Sequence, residues 1–292
     1  MDTPRISIIT VCFNEKKIEA TCQSIVCQNW RDFEWIVVDG GSTDGTVDIL
    51  NKYRDHMSVF ISEKDSGIYN AMNKGISHAQ GEYLIFMNGG DYFLDPYALE
   101  RVFAHNTWKE DIIYCDALFL KKDGSTLLRE FKDSQTDLSE FLAYSSFAHQ
   151  ATFIRRNLFE QYGGYNEKHK IVSDWEKWIE FIVVHHATCK HCNRIVAIHN
   201  YNGISSQFTK EHLDERANVL TQYYPGKFNS DGTPISTCDQ TILGKHYLTL
   251  CRVKLFGVIP LIKVKGTPDR HKSKIYLFNF LPIIKIIKQQ IK

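Results

Sequence analysis

The sequence has no apolar run of the roughly 18 residues that a membrane-spanning helix needs. Its first residues, MDTPRISIITVCF, carry an early acid and lack the apolar core of a signal peptide. The eight cysteines are scattered without the regular spacing of a disulfide framework. These absences exclude the secreted, disulfide-stapled class. We therefore expect a cytoplasmic chain with reduced thiols that does not cross the bilayer.

Net charge is also nearly absent, at +1, yet the charge is unevenly distributed. Residues 252–292 contain ten Lys or Arg and one acid, which leaves 25 basic and 33 acidic residues, a net charge of −8, in residues 1–251. Nucleic-acid-binding proteins usually carry basic charge on the folded domain, so this pattern argues against nucleic acid as a partner. With 43% hydrophobic residues, the acidic body can bury a substantial core.

Strand and helix patterns alternate over the first 115 residues. Apolar, β-branched strands are predicted at 6–11, 34–39, 59–62 and 83–87, and helices between them at 15–28, 46–53 and 68–78. Such continuous apolar strands indicate an α/β fold with a mostly parallel central sheet covered by helices. Beyond residue 116 the pattern predicts a hairpin at 118–131, a helix at 173–185 and a strand at 193–201.

Polar residues follow each predicted strand. In chain order these stretches are Cys12-Phe-Asn-Glu15, Asp39-Gly-Gly-Ser-Thr-Asp-Gly45, Asp65-Ser-Gly-Ile-Tyr-Asn70 and Asn88-Gly-Gly-Asp91. Any one of them alone has an ordinary explanation as a turn or helix cap. Parallel strands bring their carboxyl ends to one edge of the sheet, however, so four such loops together predict a ligand site there.

The order of these motifs resembles the family 2 glycosyltransferases, which have the GT-A fold. The resemblance is carried by Ile8–Glu15, Val38–Gly45, Asn70–Gly75 and Gly81–Asp91. The resemblance is good over residues 5–105 and becomes weaker toward residue 205. The close spacing of the motifs resembles that in enzymes that assemble colanic acid, O-antigen and similar polysaccharides. The resemblance implies a catalytic domain at 1–207, with a nucleotide-binding half at about 1–116 and an acceptor-binding half at about 117–207. A helical, basic amphipathic extension is expected at 208–292.

The resemblance implies roles in binding a nucleotide-sugar donor. Asp39 would accept the imide N–H of the base, which favours a UDP-hexose, and Asn14 and Glu15 would line the nucleoside pocket. Gly67 would allow the backbone to approach the donor. The other residues expected to bind the donor are Thr10, Ser42, Asp65, Asn70, Asn73 and Asn88.

Asp91 matches the last carboxylate of the family's metal motif. A divalent cation, Mg²⁺ or Mn²⁺, would bridge the diphosphate oxygens and stabilise their departure. The stretch Asn88-Gly-Gly-Asp91 departs from the usual Asp-x-Asp-Asp pattern and keeps one carboxylate. We therefore expect weaker metal binding than in the family at large.

Inverting transfer also requires a base that takes the proton of the acceptor hydroxyl. Asp174, in Ser173-Asp-Trp-Glu-Lys-Trp178, falls at the position of the family's catalytic carboxylate. Glu176 is the rival base, and a helix cap is the structural alternative for Asp174. Trp175 is predicted either to stack on a sugar or to be buried in the first turn of the helix.

His149 and Gln150 resemble a polar pair of the family that faces donor or acceptor, although a structural histidine is the alternative. The loop Gly203–Ser206 resembles a segment that closes over the site. The stretch His186-x-x-Cys189-x-x-Cys192 lacks the clear paired ligands of a structural zinc site, and we do not predict zinc there.

A repeat marks the basic tail: Leu255–Lys263 recurs as Leu277–Lys285. We expect short amphipathic helices at 252–292 that lie on an anionic membrane, so that the protein associates peripherally with the inner face of the cell membrane. Docking of these apolar faces on the body, or a homodimer contact, is the alternative. Membrane attachment suits a saccharide acceptor carried on a polyprenyl diphosphate.

The predicted function is therefore an inverting hexosyl- or N-acetylhexosaminyltransferase of surface polysaccharide biosynthesis. A sugar nucleotidylyltransferase would need a glycine-rich loop after the first strand, where this chain has Cys12-Phe-Asn-Glu15. A non-catalytic nucleotide-sugar-binding or scaffold protein of the same fold is the alternative of a different class. Asp91 and Asp174 argue against it.

Overall fold

The computed structural model describes residues 3–121, 124–129, 131, 137–200 and 209–235, together with the backbone of four strands between 252 and 287. The chain divides into two compact units, Met1–Tyr223 and Tyr224–Lys292. The first unit continues beyond the predicted boundary at residue 207. It includes a further helix that buries one face, with Val219 and Leu220 among its buried residues.

The first unit contains nine strands and eight α-helices among its described residues. The strands are β1 (Ile6–Cys12), β2 (Phe33–Asp39), β3 (Val59–Ser62), β4 (Tyr83–Phe86), β5 (Tyr92–Phe93), β6 (Ile112–Leu120), β7 (Thr126–Arg129), β8 (Thr152–Arg155) and β9 (Cys189–Asn200). The helices are α1 (Ile18–Val26), α2 (Thr46–Asn51), α3 (Ile68–His78), α4 (Ala98–Phe103), α5 (Leu138–Tyr144), α6 (Arg156–Tyr162), α7 (Ser173–Ile179) and α8 (Lys210–Tyr223).

These strands form one mixed sheet in the order β3-β2-β1-β4-β8-β6-β9-β5, with β7 paired to β6. β1 is parallel to both β2 and β4, and β2 is parallel to β3. β8 is antiparallel to β4 and to β6, so the sheet changes direction beyond β4. The predicted α/β architecture is confirmed, and the predicted hairpin is the antiparallel pair of β6 and β7.

The continuous apolar strands are buried as their composition predicts. Every residue of β1 and β4 is buried, because helices cover both faces of a parallel sheet. α3 lies very close to β1 at Gly75, where an added Cβ would be 2.4 Å from the Ile9 side chain. This close packing places the start of α3 beside the carboxyl end of β1.

The second unit corrects the prediction of a helical tail. Its backbone forms an antiparallel sheet of β10 (Arg252–Leu255), β11 (Ile259–Gly266), β12 (Lys272–Leu277) and β13 (Leu281–Ile287). The segment is rich in Ile and Val and alternates them with Lys, as in Ile262-Lys-Val-Lys265, which favours strands over helices.

The sequence repeat corresponds to two similar hairpins, β10–β11 and β12–β13. In each hairpin the repeat's proline, Pro260 or Pro282, lies in the second strand beside a shift in pairing register. A proline at such an irregularity costs the ladder less than one in a regular central position. Among the described residues, no helix has the length and apolar character needed to cross a membrane.

Candidate active site

The carboxyl ends of β1, β2 and β4 lie side by side because these strands are parallel neighbours. A cavity of about 500 Å³ opens at this edge and reaches the first turn of α7 and the end of β9. Among the residues predicted for the site, its wall contains Glu15, Asp65, Gly67, Asn88, Asp91, His149, Gln150 and Asp174. The fold thus brings Asp91 and Asp174, which are 83 positions apart, to one cavity.

Asp174 lies in the first turn of α7 and is held from two directions. The Tyr69 hydroxyl donates to its Oδ1 at 3.0 Å. His149 Nδ1 lies 3.3 Å from its Oδ2. The Asp174 side chain keeps 21% of its surface exposed, so its carboxylate is restrained yet accessible from the cavity.

The His149–Asp174 pair has opposite effects on the two pKa values. Burial favours the neutral form of each group, but the hydrogen bond and charge of the partner outweigh it. The pKa of Asp174 is therefore lowered and that of His149 is raised. Burial, followed by the Asp174 charge, raises the pKa of Tyr69 well above its usual range, so the phenol stays a proton donor.

Asp91 is also buried at the cavity wall, in a network with the end of β9. Its Oδ1 lies 3.0 Å from His199 Nδ1 and accepts the backbone N–H of Asn200 at 2.9 Å. Its Oδ2 accepts a hydrogen bond from Gln150 Nε2 at 2.8 Å. These contacts fix the orientation of the carboxylate with respect to the cavity.

The residues around Asp91 fit a divalent cation with few protein ligands. No group of three or more His, Cys, Asp or Glu side chains that could hold a metal occurs in the described part of the chain. However, Asn88 Oδ1 is buried without a hydrogen-bond partner there, while Asn88 Nδ2 lies 3.3 Å from His149 Nε2. The Asp91 carboxylate, the Asn88 amide oxygen and the nearby imidazole of His199 suit Mg²⁺ or Mn²⁺ when a ligand and water supply the remaining oxygens.

Asp39 does not face the cavity, contrary to the role expected for it. It is fully buried, and its Oδ2 accepts hydrogen bonds from Gly41 N, Ser42 N and the Ser62 hydroxyl at 3.1, 3.0 and 2.7 Å. Its Oδ1 accepts from the hydroxyl of Ser42 and from the thiol of Cys12. Five donors saturate the carboxylate, so Asp39 holds the turn after β2 and has no lone pair left for a base.

Three other predicted donor residues also make internal contacts. Thr10 is fully buried and accepts a 3.0 Å hydrogen bond from the indole of Trp35, because its side chain points into the core. The Asn14 side-chain Oδ1 accepts a hydrogen bond from the backbone N–H of Thr43 at 2.9 Å, and the backbone N–H of Asn14 donates to the Ser42 hydroxyl at 2.8 Å. Asn14 and Ser42 therefore tie the loops after β1 and β2 together.

Asn70 and Asn73 lie on α3 away from the cavity wall. Both amides donate to the Glu167 carboxylate, at 3.0 and 2.9 Å. Asn73 also exchanges hydrogen bonds with the backbone of Tyr165. These asparagines join α3 to the loop before α7.

Trp175 and Glu176 are buried and lie outside the cavity wall, so Trp175 follows the predicted alternative of burial in the first turn, and Glu176 does not take the predicted place of a rival base or sugar contact. The Trp175 indole donates to the Leu142 carbonyl at 2.7 Å, and the Arg216 guanidinium lies 3.9 Å from its ring centre. Glu176 accepts a hydrogen bond from Asn166 at 3.1 Å. A helix turns about 100° per residue, so neighbours of Asp174 point elsewhere.

The cavity residues to which the sequence assigned no role include Phe13, Tyr69 and His199. Phe13 is 63% exposed, which is unusual for a large apolar ring beside an otherwise buried strand end. Gly40 brings it close to Asp65, since a Cβ there would lie 2.5 Å from Asp65 Oδ2 and 3.4 Å from the Phe13 ring. Aromatic and histidine residues at strand and helix ends were the available signal. The predicted closing loop, Gly203–Ser206, lies outside the described residues.

Comparison with known proteins gives matches both in sequence and in fold. The sequence profile named Glycosyl transferase family 2 matches residues 7–163. A PGL/p-HBAD biosynthesis glycosyltransferase of Mycobacterium bovis is 31% identical over 229 residues, covering 76% of this chain and 87% of the relative. An uncharacterized glycosyltransferase of Mycobacterium tuberculosis is 32% identical over 176 residues, covering 59% and 67%.

Two solved structures share the fold at low identity. S. aureus TarS 1–349 in complex with UDP-GlcNAc has a TM-score of 0.60 and 18% identity, covering 75% of this chain and 65% of that one. The mannosyltransferase PcManGT from Pyrobaculum calidifontis, in complex with GDP-Man and Mn²⁺, has a TM-score of 0.52 and 19% identity, covering 75% and 63%.

Proposed function

The chain belongs to glycosyl transferase family 2, and on that premise we propose that it transfers a hexose or N-acetylhexosamine, with inversion, from a UDP-sugar to a saccharide acceptor. One observation carries this proposal. Asp174, whose lowered pKa keeps it ionised, shares a cavity with Asp91 at the edge where parallel strands end. A base and an anchor for a cation therefore face the same space.

In the proposed reaction, the Asp174 carboxylate accepts the proton of the acceptor hydroxyl while that oxygen attacks the anomeric carbon. The bond from the anomeric carbon to the diphosphate breaks on the opposite side. His149 supports the ionised state of Asp174, and Tyr69 restricts the rotation of the carboxylate by its hydrogen bond to Oδ1.

Asp91, Asn88 Oδ1 and His199 would hold Mg²⁺ or Mn²⁺. When bound, the cation would neutralise charge that develops on the departing diphosphate. This assignment is supported by the orphaned Asn88 oxygen and by the buried, oriented carboxylate of Asp91.

We further propose that the base of the donor lies between Phe13 and Asp65, and not against Asp39. The exposed Phe13 ring offers a face for stacking, and Asp65 Oδ2 lies beside the same glycine, Gly40. A carboxylate can accept the imide N–H of uracil, which supports UDP as the nucleotide.

For the acceptor, we propose a saccharide linked to a polyprenyl diphosphate, in surface polysaccharide biosynthesis of the colanic acid or O-antigen type. The basic segment 252–292 supports attachment to an anionic membrane on its cytoplasmic side. The relative from Mycobacterium bovis is named for PGL/p-HBAD biosynthesis, which also makes a PGL or p-HBAD acceptor a candidate to assay. Flotation with vesicles tests the membrane proposal: equal binding to neutral and anionic lipid would contradict it.

The reaction is tested by measuring nucleoside diphosphate release from UDP-glucose, UDP-galactose, UDP-N-acetylglucosamine and GDP-mannose with Mg²⁺ or Mn²⁺. Asp174→Asn should leave the UDP affinity within about twofold and lower transfer by at least about 100-fold. Glu176→Gln is the control, because Glu176 is a carboxylate of the same helix that lies away from the cavity. Full transfer by Asp174→Asn would remove the base assignment.

A further inference from the structure

The loop 163–172 leads directly into α7, so its position determines where Asp174 lies. On one side it is tied to α3, through the hydrogen bonds of Asn73 with Tyr165 and Glu167. Lys170 and Ile171, near its end, form part of the cavity wall. A displacement of this loop would therefore move both the wall and the proposed base.

On its other side the loop is held by a carboxylate of α8. Glu215 is only 8% exposed and accepts three consecutive backbone N–H groups: Lys170 at 2.7 Å, Ile171 at 3.0 Å and Val172 at 3.2 Å. His169 lies within 3.9 Å of the same carboxylate. Three amide donors compensate the buried charge, as a buried carboxylate requires.

The residue at the start of α7 does not fix the entry of the loop into the helix by itself. Val172 is the N-cap of α7 and has no side chain that can cap the helix. Because Glu215 accepts three successive amides, it constrains both the position and the direction of the backbone as it enters α7. Asp174 follows Val172 by two residues, which leaves little freedom between the anchored amide and the base.

We propose that Glu215 is a positioning residue for transfer, which holds the loop 163–172 so that Asp174 is in reach of the acceptor hydroxyl. This inference rests on the proposed function of Asp174. A misplacement of a reacting group by about 1 Å can cost about 100-fold in rate. Loss of the anchor should therefore lower the kcat of transfer and leave donor binding largely unchanged, because Glu215 contacts none of the residues proposed to bind the donor.

The test compares Glu215→Gln with Glu211→Gln. Glu211 lies one turn earlier on α8 and pairs with the Lys170 ammonium at 2.8 Å, but both side chains are at least half exposed. The two substitutions remove the same charge beside the same loop. We expect Glu215→Gln to lower kcat about 10- to 100-fold with the donor KM within about threefold, and Glu211→Gln to change kcat less than about twofold.

Two further readouts separate positioning from a loss of stability. Amide hydrogen exchange at residues 170–172 should accelerate in Glu215→Gln and not in Glu211→Gln. In an Asp174→Asn background, Glu215→Gln should lower the residual transfer less than about twofold, because it acts through the missing base. Glu215→Asp, which keeps the charge, should retain an intermediate kcat and serves if Glu215→Gln does not fold.

The outcomes are distinguishable. If Asp174→Asn abolishes transfer while Glu215→Gln behaves like Glu211→Gln, the positioning role of Glu215 is wrong and the proposed function stands. Fully additive losses in the double variant would also overturn the positioning role. If Asp174→Asn transfers normally, the proposed function itself fails.

Discussion

Replacing Asp39 by asparagine distinguishes an internal anchor from a nucleotide-binding carboxylate. The substitution preserves shape, and the remaining carbonyl oxygen can still accept from Gly41, Ser42 and Ser62. It removes the charge that strengthens those three bonds. Hydrogen bonds to charged groups contribute about 1.5–3 kcal/mol and neutral ones about 0.5–1.5 kcal/mol. The expected loss in the free energy of unfolding is therefore about 3 kcal/mol for the three bonds together.

Urea unfolding, followed by circular dichroism, measures this loss directly. In a unit of this size, such a loss corresponds to a melting temperature lower by roughly 6–12 °C. Titration calorimetry with UDP, done below the melting transition, should give an affinity within about threefold of the wild type, because Asp39 has no lone pair free for the ligand.

Asp65→Asn is the matched comparison, since Asp65 lies on the cavity wall beside Phe13. Its stability should change by less than about 0.5 kcal/mol. The affinity for UDP should fall about tenfold, the equivalent of about 1.4 kcal/mol, because the imide N–H would lose a charged acceptor. A wild-type unfolding curve for Asp39→Asn together with a tenfold loss of UDP affinity would refute our assignment of both carboxylates.

Three further predictions follow from individual contacts. Replacing His149 by glutamine removes the interaction that lowers the pKa of Asp174, so the base then protonates at higher pH. The acid limb of the pH profile of transfer should therefore shift to higher pH, and an unchanged limb would contradict the pairing. Thr10→Val strands the Trp35 indole N–H in the core and should cost about 1–3 kcal/mol in urea unfolding without altering UDP affinity. Asp91→Asn should raise the Mn²⁺ concentration for half-maximal transfer at least about tenfold, and an unchanged metal titration would exclude Asp91 as a ligand.

Much of the framework follows from local sequence. Near-continuous apolar strands separated by amphipathic helices can be buried only in a sheet that is covered on both faces, so the α/β fold was predictable. Parallel strands align their carboxyl ends, which is why Asp91 could be expected at this edge, whereas Asp174 and His149 were expected there from the family resemblance. These residues lie next to a strand or helix end that the pattern already marked.

The partners of each polar side chain were decided by the tertiary structure. Asp39 and Asp65 both follow a strand, yet Ser62 and Cys12 saturate Asp39, while Asp65 stays at the cavity wall. Asn70 was expected at the donor and instead binds Glu167. Nothing near such residues in the chain indicates which distant donors will reach them.

What the sequence determined by itself is the alternation of elements and the edge of the sheet where the site forms, because hydrophobic periodicity reports which face of an element is buried. Only the fold decided which carboxylates are free for a ligand, how Glu215 comes to hold the loop before Asp174, and that the repeat at 252–287 pairs as hairpins. Hydrogen-bond saturation and strand pairing depend on groups far apart in the chain, and periodicity carries no information about them.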